Sequence, residues 1–320
     1  MKRDLIFVFF GGAMSGLFGG GVATAFEKAD LYPRIYSIYA ISAGAHNAAY
    51  FLSKDTIRAA SIYYLDLTGD HFIKEKSKFG FWKSLLLKIF LGRGRTVMKY
   101  VDMDYLLDIE KYKKRLDTKK ILNSPIKFYV RAFNVKESKM EYLNAKTNIF
   151  KKIKASSAIF PFYPSFVHIR RKNYIDGNTL LDIDKHLEDI VKKNPHKKVI
   201  FVINHPLESI FSFKSLLMNF GAALFFELSI PKFPFFKRLR VFNNYFRLKR
   251  MVNGKNVFVI DPDYYMSGFT HTNKKLTKLY WHGVKQGADF IKKELGKNLG
   301  KLHKSDFILK ETKYKRKIKN

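Results

Sequence analysis

Short apolar runs alternate along this chain with longer stretches of helical period. Residues 4–10, 35–41 (IYSIYAI), 126–133 (IKFYVRAF), 197–203 (KKVIFVI) and 256–260 (NVFVI) are brief, β-rich and nearly continuous in hydrophobicity. That is the pattern of strands buried on both faces. Helical periodicity is expected from about Val22 to Ala29, over 46–53, and over 54–67, 102–116, 182–193 and 272–295. Strands that alternate with helices predict an α/β fold around a largely parallel sheet. No internal repeat is visible.

The N-terminus permits two readings. Met1-Lys2-Arg3, the apolar run Leu5–Phe10 and Ala23-Thr24-Ala25 together imitate a secretory signal peptide. Against this, Asp4 interrupts the junction, and glycines at 11, 12, 16, 19, 20 and 21 fall where such a peptide needs a helix. The run is therefore expected to be a mature strand that enters a glycine-rich loop, and the signal-peptide likeness a false one. Leu216–Ile230, the most apolar later stretch, is broken by Asn219 and Glu227. It falls short of the ~20 residues that span a bilayer. A cytoplasmic protein, with peripheral attachment to membrane, is expected.

Composition narrows the chemistry. Hydrophobic residues make up 47% of 320, which excludes wholesale disorder. With no cysteine, disulfides, thiolate metal sites and a Cys nucleophile are excluded. Sixty Lys+Arg against 27 Asp+Glu leave a net charge of +33, so an anionic partner is expected. The 31 Phe and 18 Tyr would also suit nucleic-acid stacking. No recognised nucleic-acid-binding motif is present, however, and specific nucleic-acid binding is not expected. The nine histidines show no metal-ligand spacing, and neither a metal nor a cofactor is expected.

Three constellations carry candidate chemistry. Gly11-Gly12-Ala13-Met14-Ser15-Gly16 follows the first strand; converging backbone amides there could cradle a phosphate, form an oxyanion hole, or simply make a tight turn. Ala40-Ile41-Ser42-Ala43-Gly44 has the form of a nucleophile elbow, with Ala40 in place of its leading glycine. Small residues must flank the serine because the strand-to-helix turn is sharp; the plainer reading is a Ser42 N-cap. Asn173-Tyr174-Ile175-Asp176-Gly177-Asn178 places an Asp-Gly pair after a short apolar strand, a common turn.

In order and spacing, the three together resemble the patatin-like phospholipases, in a bacterial form. Ala155-Ser156-Ser157-Ala158-Ile159-Phe160-Pro161 is similar to that family's Ala-Ser-x-Ala-x-Pro segment. Residues 101–107 (VDMDYLL), 241–248 (VFNNYFRL) and 256–262 (NVFVIDP) extend the likeness over about 4–297. The resemblance implies a three-layer α/β/α fold with a mainly parallel sheet and a helical C-terminal extension. It divides the chain into a catalytic domain at 4–193, a continuation of the same fold at 194–300, and a basic tail at 301–320.

By the same resemblance, Ser42 is the nucleophile, Asp176 its base, and the amides of Gly11, Gly12 and Ala13 the oxyanion hole. Gly177 and Asn178 complete the Asp-Gly motif. Four departures stand out: Ala13 for glycine, Ser15 for a cation, Ala40 for the elbow glycine, and Asn178 for Gly or Ala. Ala13 is harmless if its backbone avoids positive φ.

The implied reaction is hydrolysis of a phospholipid or other acyl ester by a Ser–Asp dyad, with burial raising the aspartate above its usual ~3.9. A Ser–Asp–His triad using His271 or His282 is the rival mechanism, and an impaired lipid-binding protein the rival function. Basic–aromatic stretches at 72–99 (with Phe81, Trp82, Leu85, Leu86 and Phe90), at 231–255 and in the tail are expected to meet an anionic membrane surface. Oligomeric state is not readable.

Overall fold

The computed structural model describes residues 3–91, 99–178, 185–211 and 254–307, with isolated positions at 230, 247, 250 and 251. The first apolar run folds as strand β1 (Leu5–Phe9), every residue of which is buried. β2 (Ile35–Ile41), β3 (Lys127–Asn134), β7 (Lys198–Val202) and β8 (Val257–Ile260) follow within a residue or two of expectation. These five run parallel. β4 (Lys139–Asn144) and the hairpin β5 (Val167–Ile169) and β6 (Lys172–Asp176) add antiparallel pairings. Hydrogen-bonded neighbours follow the path β5-β6-β3-β2-β1-β7-β8, with β4 also paired to β3.

Helices lie on both faces. Leu5, Phe7 and Phe9 enter one core with α1 (Leu17–Lys28), α2 (Ala43–Leu52) and the long C-terminal helix (Asn273–Leu295). Ile6 and Val8, on the opposite face, pack with Leu187 and Ile190 of the helix Lys185–Lys193. This period-2 division of β1 between two cores makes the sheet the middle layer. β7 pairs with β1, so the chain beyond residue 193 enters the same sheet. Among the described residues, no helix is long and apolar enough to cross a membrane.

Two expectations are corrected. Helix α1 begins at Leu17 instead of near Val22, so Gly19, Gly20 and Gly21 are helical. Contact, not turning, explains one of them: a Cβ on Gly21 would lie 2.2 Å from the Tyr280 carbonyl oxygen on the C-terminal helix. The periods at 54–67 and 102–116 break into α3 (Thr56–Ser61) and α5 (Met103–Asp108), each ending in a π-helical turn. Between them lies α4 (Lys78–Leu91), and α6 (Thr118–Asn123) and α7 (Ile149–Ser157) flank β3 and β4 in sequence.

Candidate active site

Ser42 joins β2 to α2 at φ 53°, ψ −125°. A non-glycine residue held there costs on the order of 1–3 kcal/mol and persists only where its surroundings over-determine it. They do. The Ser42 N–H donates to Ser156 Oγ at 2.9 Å, and the Ser42 carbonyl accepts from Ala45 N–H at 2.8 Å. A Cβ on Gly44 would come within 2.5 Å of the Phe9 carbonyl oxygen, so α2 starts in direct contact with β1. Ala40 and Ile41 are buried beneath the turn, and Ala43 opens the helix. Ser42 Oγ makes no capping hydrogen bond, which disposes of the N-cap reading.

Pairing on β3 brings Asp176 to the same place. One edge of β3 is taken by β4 along Tyr129–Asn134. The other carries β2 along Lys127–Arg131 and β6 along Ala132–Asn134. β2 and β6 therefore meet end to end, Ile41 opposite Arg131 and Asp176 opposite Ala132. Ser156 clasps the junction. Its Oγ accepts from Ser42 N–H and donates to the Arg131 carbonyl at 2.7 Å, while its own carbonyl accepts from Gly177 N–H at 2.9 Å. Arg131, fully buried, donates from Nε to the Gly177 carbonyl at 2.8 Å. A Cβ on Gly177 would stand 1.9 Å from the Arg131 carbonyl oxygen, so no larger residue fits. Asp176 Oδ1 accepts from Asn178 N–H at 2.6 Å. Ser42 and Asp176 are both buried, and no hydrogen bond joins Ser42 Oγ to Asp176.

The glycine loop closes the third side. A Cβ on Gly11 would sit 2.8 Å from Ser42 Cβ, so loop backbone touches the elbow. Asn204 Nδ2 donates to the carbonyls of Phe10 at 2.6 Å and Gly11 at 3.1 Å. Ser15 donates to the Gly12 carbonyl from N at 3.0 Å and from Oγ at 2.7 Å. In a planar trans peptide the N–H points opposite the C=O. Anchoring these three carbonyls thus turns the amides of Gly11, Gly12 and Ala13 the other way. Among the described residues, nothing accepts from them.

Sequence reasoning missed Asn204 and Ser156 as organisers. Asn204 follows β7, and its Oδ1 also accepts from Gly19 N–H at 2.8 Å. A buried Asn beside a glycine loop becomes readable only once β7 is known to pair with β1.

A patatin-like phospholipase family model matches residues 7–183, more than half of the chain. The chain belongs to this family. Among solved structures it is similar to VipD from Legionella pneumophila, with TM-score 0.43 and 12% identity over 91% of this chain and 67% of that one. No curated protein matches it.

For this patatin-like chain, two of the departures acquire a geometry. Ala13 lies at φ 50°, a position that favours glycine, so its methyl group is carried at a cost. Ser15, in place of a cation, receives His205: Nε2 lies 3.2 Å from Ser15 Oγ, whose proton already serves the Gly12 carbonyl. His205 therefore donates from Nε2. Burial pushes its pKa down to about 4, and its ring stacks on Tyr265 with centroids 5.1 Å apart.

Neither rival histidine reaches the elbow. His271 is exposed with Nδ1 3.3 Å from the Phe269 carbonyl, and His282 Nε2 accepts from Asp263 N–H at 3.3 Å. A different histidine supports the site from behind. His46, one turn along α2 from Ser42, is buried with Nδ1 2.7 Å from Glu110 Oε1 and Nε2 3.0 Å from Ser157 Oγ. It thereby ties α2, the helix that follows Ser42, to the segment that holds Ser156.

The expected membrane stretches divide. Phe81 is core, stacked on Tyr100 at 5.3 Å and Phe162 at 5.4 Å, which corrects its assignment to the surface. Phe79, Trp82 and Leu86 are instead the exposed large hydrophobic residues of α4 among the described residues. The side chains of Leu85 and Phe90, most of 231–255 and the tail from 308 lie outside the described residues.

Proposed function

We propose that this protein is a serine acyl hydrolase that cleaves fatty-acyl esters of phospholipids or related lipids with Ser42 and Asp176 as a dyad. The observation that carries the reading is the end-to-end meeting of β2 and β6 on one edge of β3, clasped by Ser156. Asp176 takes the Ser42 proton as Oγ attacks the ester carbonyl carbon. The amides of Gly11, Gly12 and Ala13 receive the oxyanion, a role that needs no metal or cofactor. Collapse of the tetrahedral intermediate breaks the acyl C–O bond, and the departing alcohol takes the proton from Asp176. Water, deprotonated by Asp176, then attacks the acyl-enzyme carbonyl; the acyl–Oγ bond breaks and Ser42 Oγ takes the proton back from Asp176. The missing Ser–Asp hydrogen bond is compatible with this, since catalytic hydrogen bonds often tighten only with substrate bound.

Phe79, Trp82 and Leu86 follow i, i+3, i+7 spacing, which sets them on one face of α4. That exposed face suits insertion at a lipid headgroup boundary, as a peripheral enzyme requires. One observation favours the rival, a lipid binder without turnover: left-handed Ala13 in the oxyanion loop. The deciding experiment is intact-mass analysis after a fluorophosphonate probe, alongside turnover of an acyl ester. One adduct on the wild type and none on Ser42→Ala is expected; turnover without Ser42 labelling would refute the assignment.

A further inference from the structure

A cleft of about 760 Å³ opens between β4, the start of α7 and the β5–β6 hairpin. Lys151, Lys152, Arg170, Arg171 and Lys172 line it, with Glu141 as the lining acid. Glu141 is already occupied, accepting from Lys172 Nζ at 2.9 Å, Asn134 Nδ2 at 3.0 Å and Tyr174 Oη at 2.7 Å. Lys172 is shared between it and Glu137. Lys151, Arg170 and Arg171 are exposed and make no ion pair among the described residues. Lys152 is crowded: burial first, and then the Arg170 charge, hold its pKa below the usual lysine value.

The hairpin tip repeats the message. Arg170 and Arg171 are the two residues between paired Ile169 and Lys172. Arg170 takes φ 55° at the first turn position, where two-residue hairpins of this kind prefer glycine. An arginine is thus held at a backbone cost beside cations that repel it.

We propose that this cleft binds a lipid headgroup bearing two or more phosphates, as a docking anchor separate from the hydrolytic site. Guanidinium forks match phosphate oxygens in pairs, and a multivalent anion would relieve the repulsion among the cations. The volume suits a headgroup of that size. Strand β6 runs from the cleft at Lys172 to Asp176, about 14 Å away at strand rise, so a headgroup held here lies about one strand length from Asp176. The choice of a lipid carrier, though not of phosphate chemistry, rests on the lipid-hydrolase reading.

The test is vesicle flotation with three compositions: phosphatidylcholine alone, phosphatidylcholine doped with a bisphosphorylated phosphatidylinositol, and a charge-matched mixture with phosphatidylserine. Wild-type protein should prefer the phosphorylated vesicles. The double variant Arg170→Gly, Arg171→Asn installs residues the turn favours, so its melting temperature should hold. Its affinity for those vesicles should fall roughly 30-fold, at about 1 kcal/mol per cation, while hydrolysis of a soluble short-chain ester is unchanged. Equal binding by wild type and variant, or equal binding to both charged mixtures, would overturn the proposal. Binding of the free bisphosphorylated headgroup without vesicle binding would overturn the lipid carrier, as would displacement by single-stranded RNA with no vesicle preference. Vesicle preference in a protein that hydrolyses no ester would refute the hydrolase reading and leave the phosphate cleft standing.

Discussion

Ser42 and Ala13 are both non-glycine residues at positive φ, one in the elbow and the other in the glycine loop beside it, yet they are held by different means. The elbow is fixed largely by backbone packed on backbone: Gly44 against the Phe9 carbonyl, and Gly177 against that of Arg131. The loop is fixed by side chains, Asn204 and Ser15, reaching its carbonyls. Backbone contacts admit almost no substitution, whereas side-chain anchors can be changed one at a time. The elbow should therefore fail by misfolding, and the loop by misaiming its amides.

The largest effect expected is at the meeting point of the two. Ser42→Ala or Asp176→Asn should each lower acyl-ester hydrolysis by at least ~10³-fold in a protein with an unchanged circular dichroism spectrum. If Asp176→Asn keeps most activity, the dyad is wrong. Next comes the elbow itself. Gly44→Ala places a methyl group against two backbone carbonyls and should cost about 3 kcal/mol in denaturant unfolding, as severe overpacking does. A loss near zero would show that the close approach of α2 to β1 is dispensable.

A loop anchor gives the pH signature. His205 has a folded pKa of about 4 against 6.5 for the ordinary imidazole. Above pH 6.5 it is neutral in both states and contributes no pH dependence. Between 6.5 and 4 the unfolded chain takes up the proton and the folded chain does not, so stability falls as pH falls. The loss should approach about 3 kcal/mol by pH 4, and His205→Gln should flatten the slope across that window. An identical slope in the variant would place the titration elsewhere.

Asn204→Ala separates aiming from folding. It leaves the Phe10 and Gly11 carbonyls without their donor and should cost roughly 1–3 kcal/mol of stability. More telling, kcat per probe-titrated active site should fall about 10- to 100-fold with KM little changed, because amide direction matters most to the transition state. A purely structural residue would lower the yield of titratable sites and leave kcat per site untouched.

The same division explains what could be read in advance. β1, β2, β3, β7 and β8 are legible because burial on both faces leaves continuous apolar runs. The elbow and the Asp-Gly turn are legible because backbone crowding restricts residue type, which leaves small residues at defined spacings. β4, by contrast, is half-exposed and mixed in polarity, so its sequence carries no such run. Asn204 and Ser156 act across 193 and 114 residues of chain, to Gly11 and Ser42, and no local pattern encodes a partner so distant. Glycines 19–21 read as loop although they are helical, because a glycine needed for helix contact and one needed for a turn look alike in sequence.

The smallest effect expected is also the sharpest test of the loop. At φ 50° a methyl group costs about 1–2 kcal/mol, while glycine brings back about 0.4–1 kcal/mol of unfolded-state entropy. Ala13→Gly should therefore stabilise the protein by about 0.5–1 kcal/mol in chemical unfolding. Because Asn204 and Ser15 fix the flanking carbonyls whichever residue stands at 13, the amide keeps its direction and kcat should change less than about threefold. A rise of tenfold or more would mean that the alanine holds the loop amides out of line, and that wild-type turnover is limited there. Lower stability in Ala13→Gly would mean instead that the methyl group's packing beside Gly268 outweighs its backbone strain.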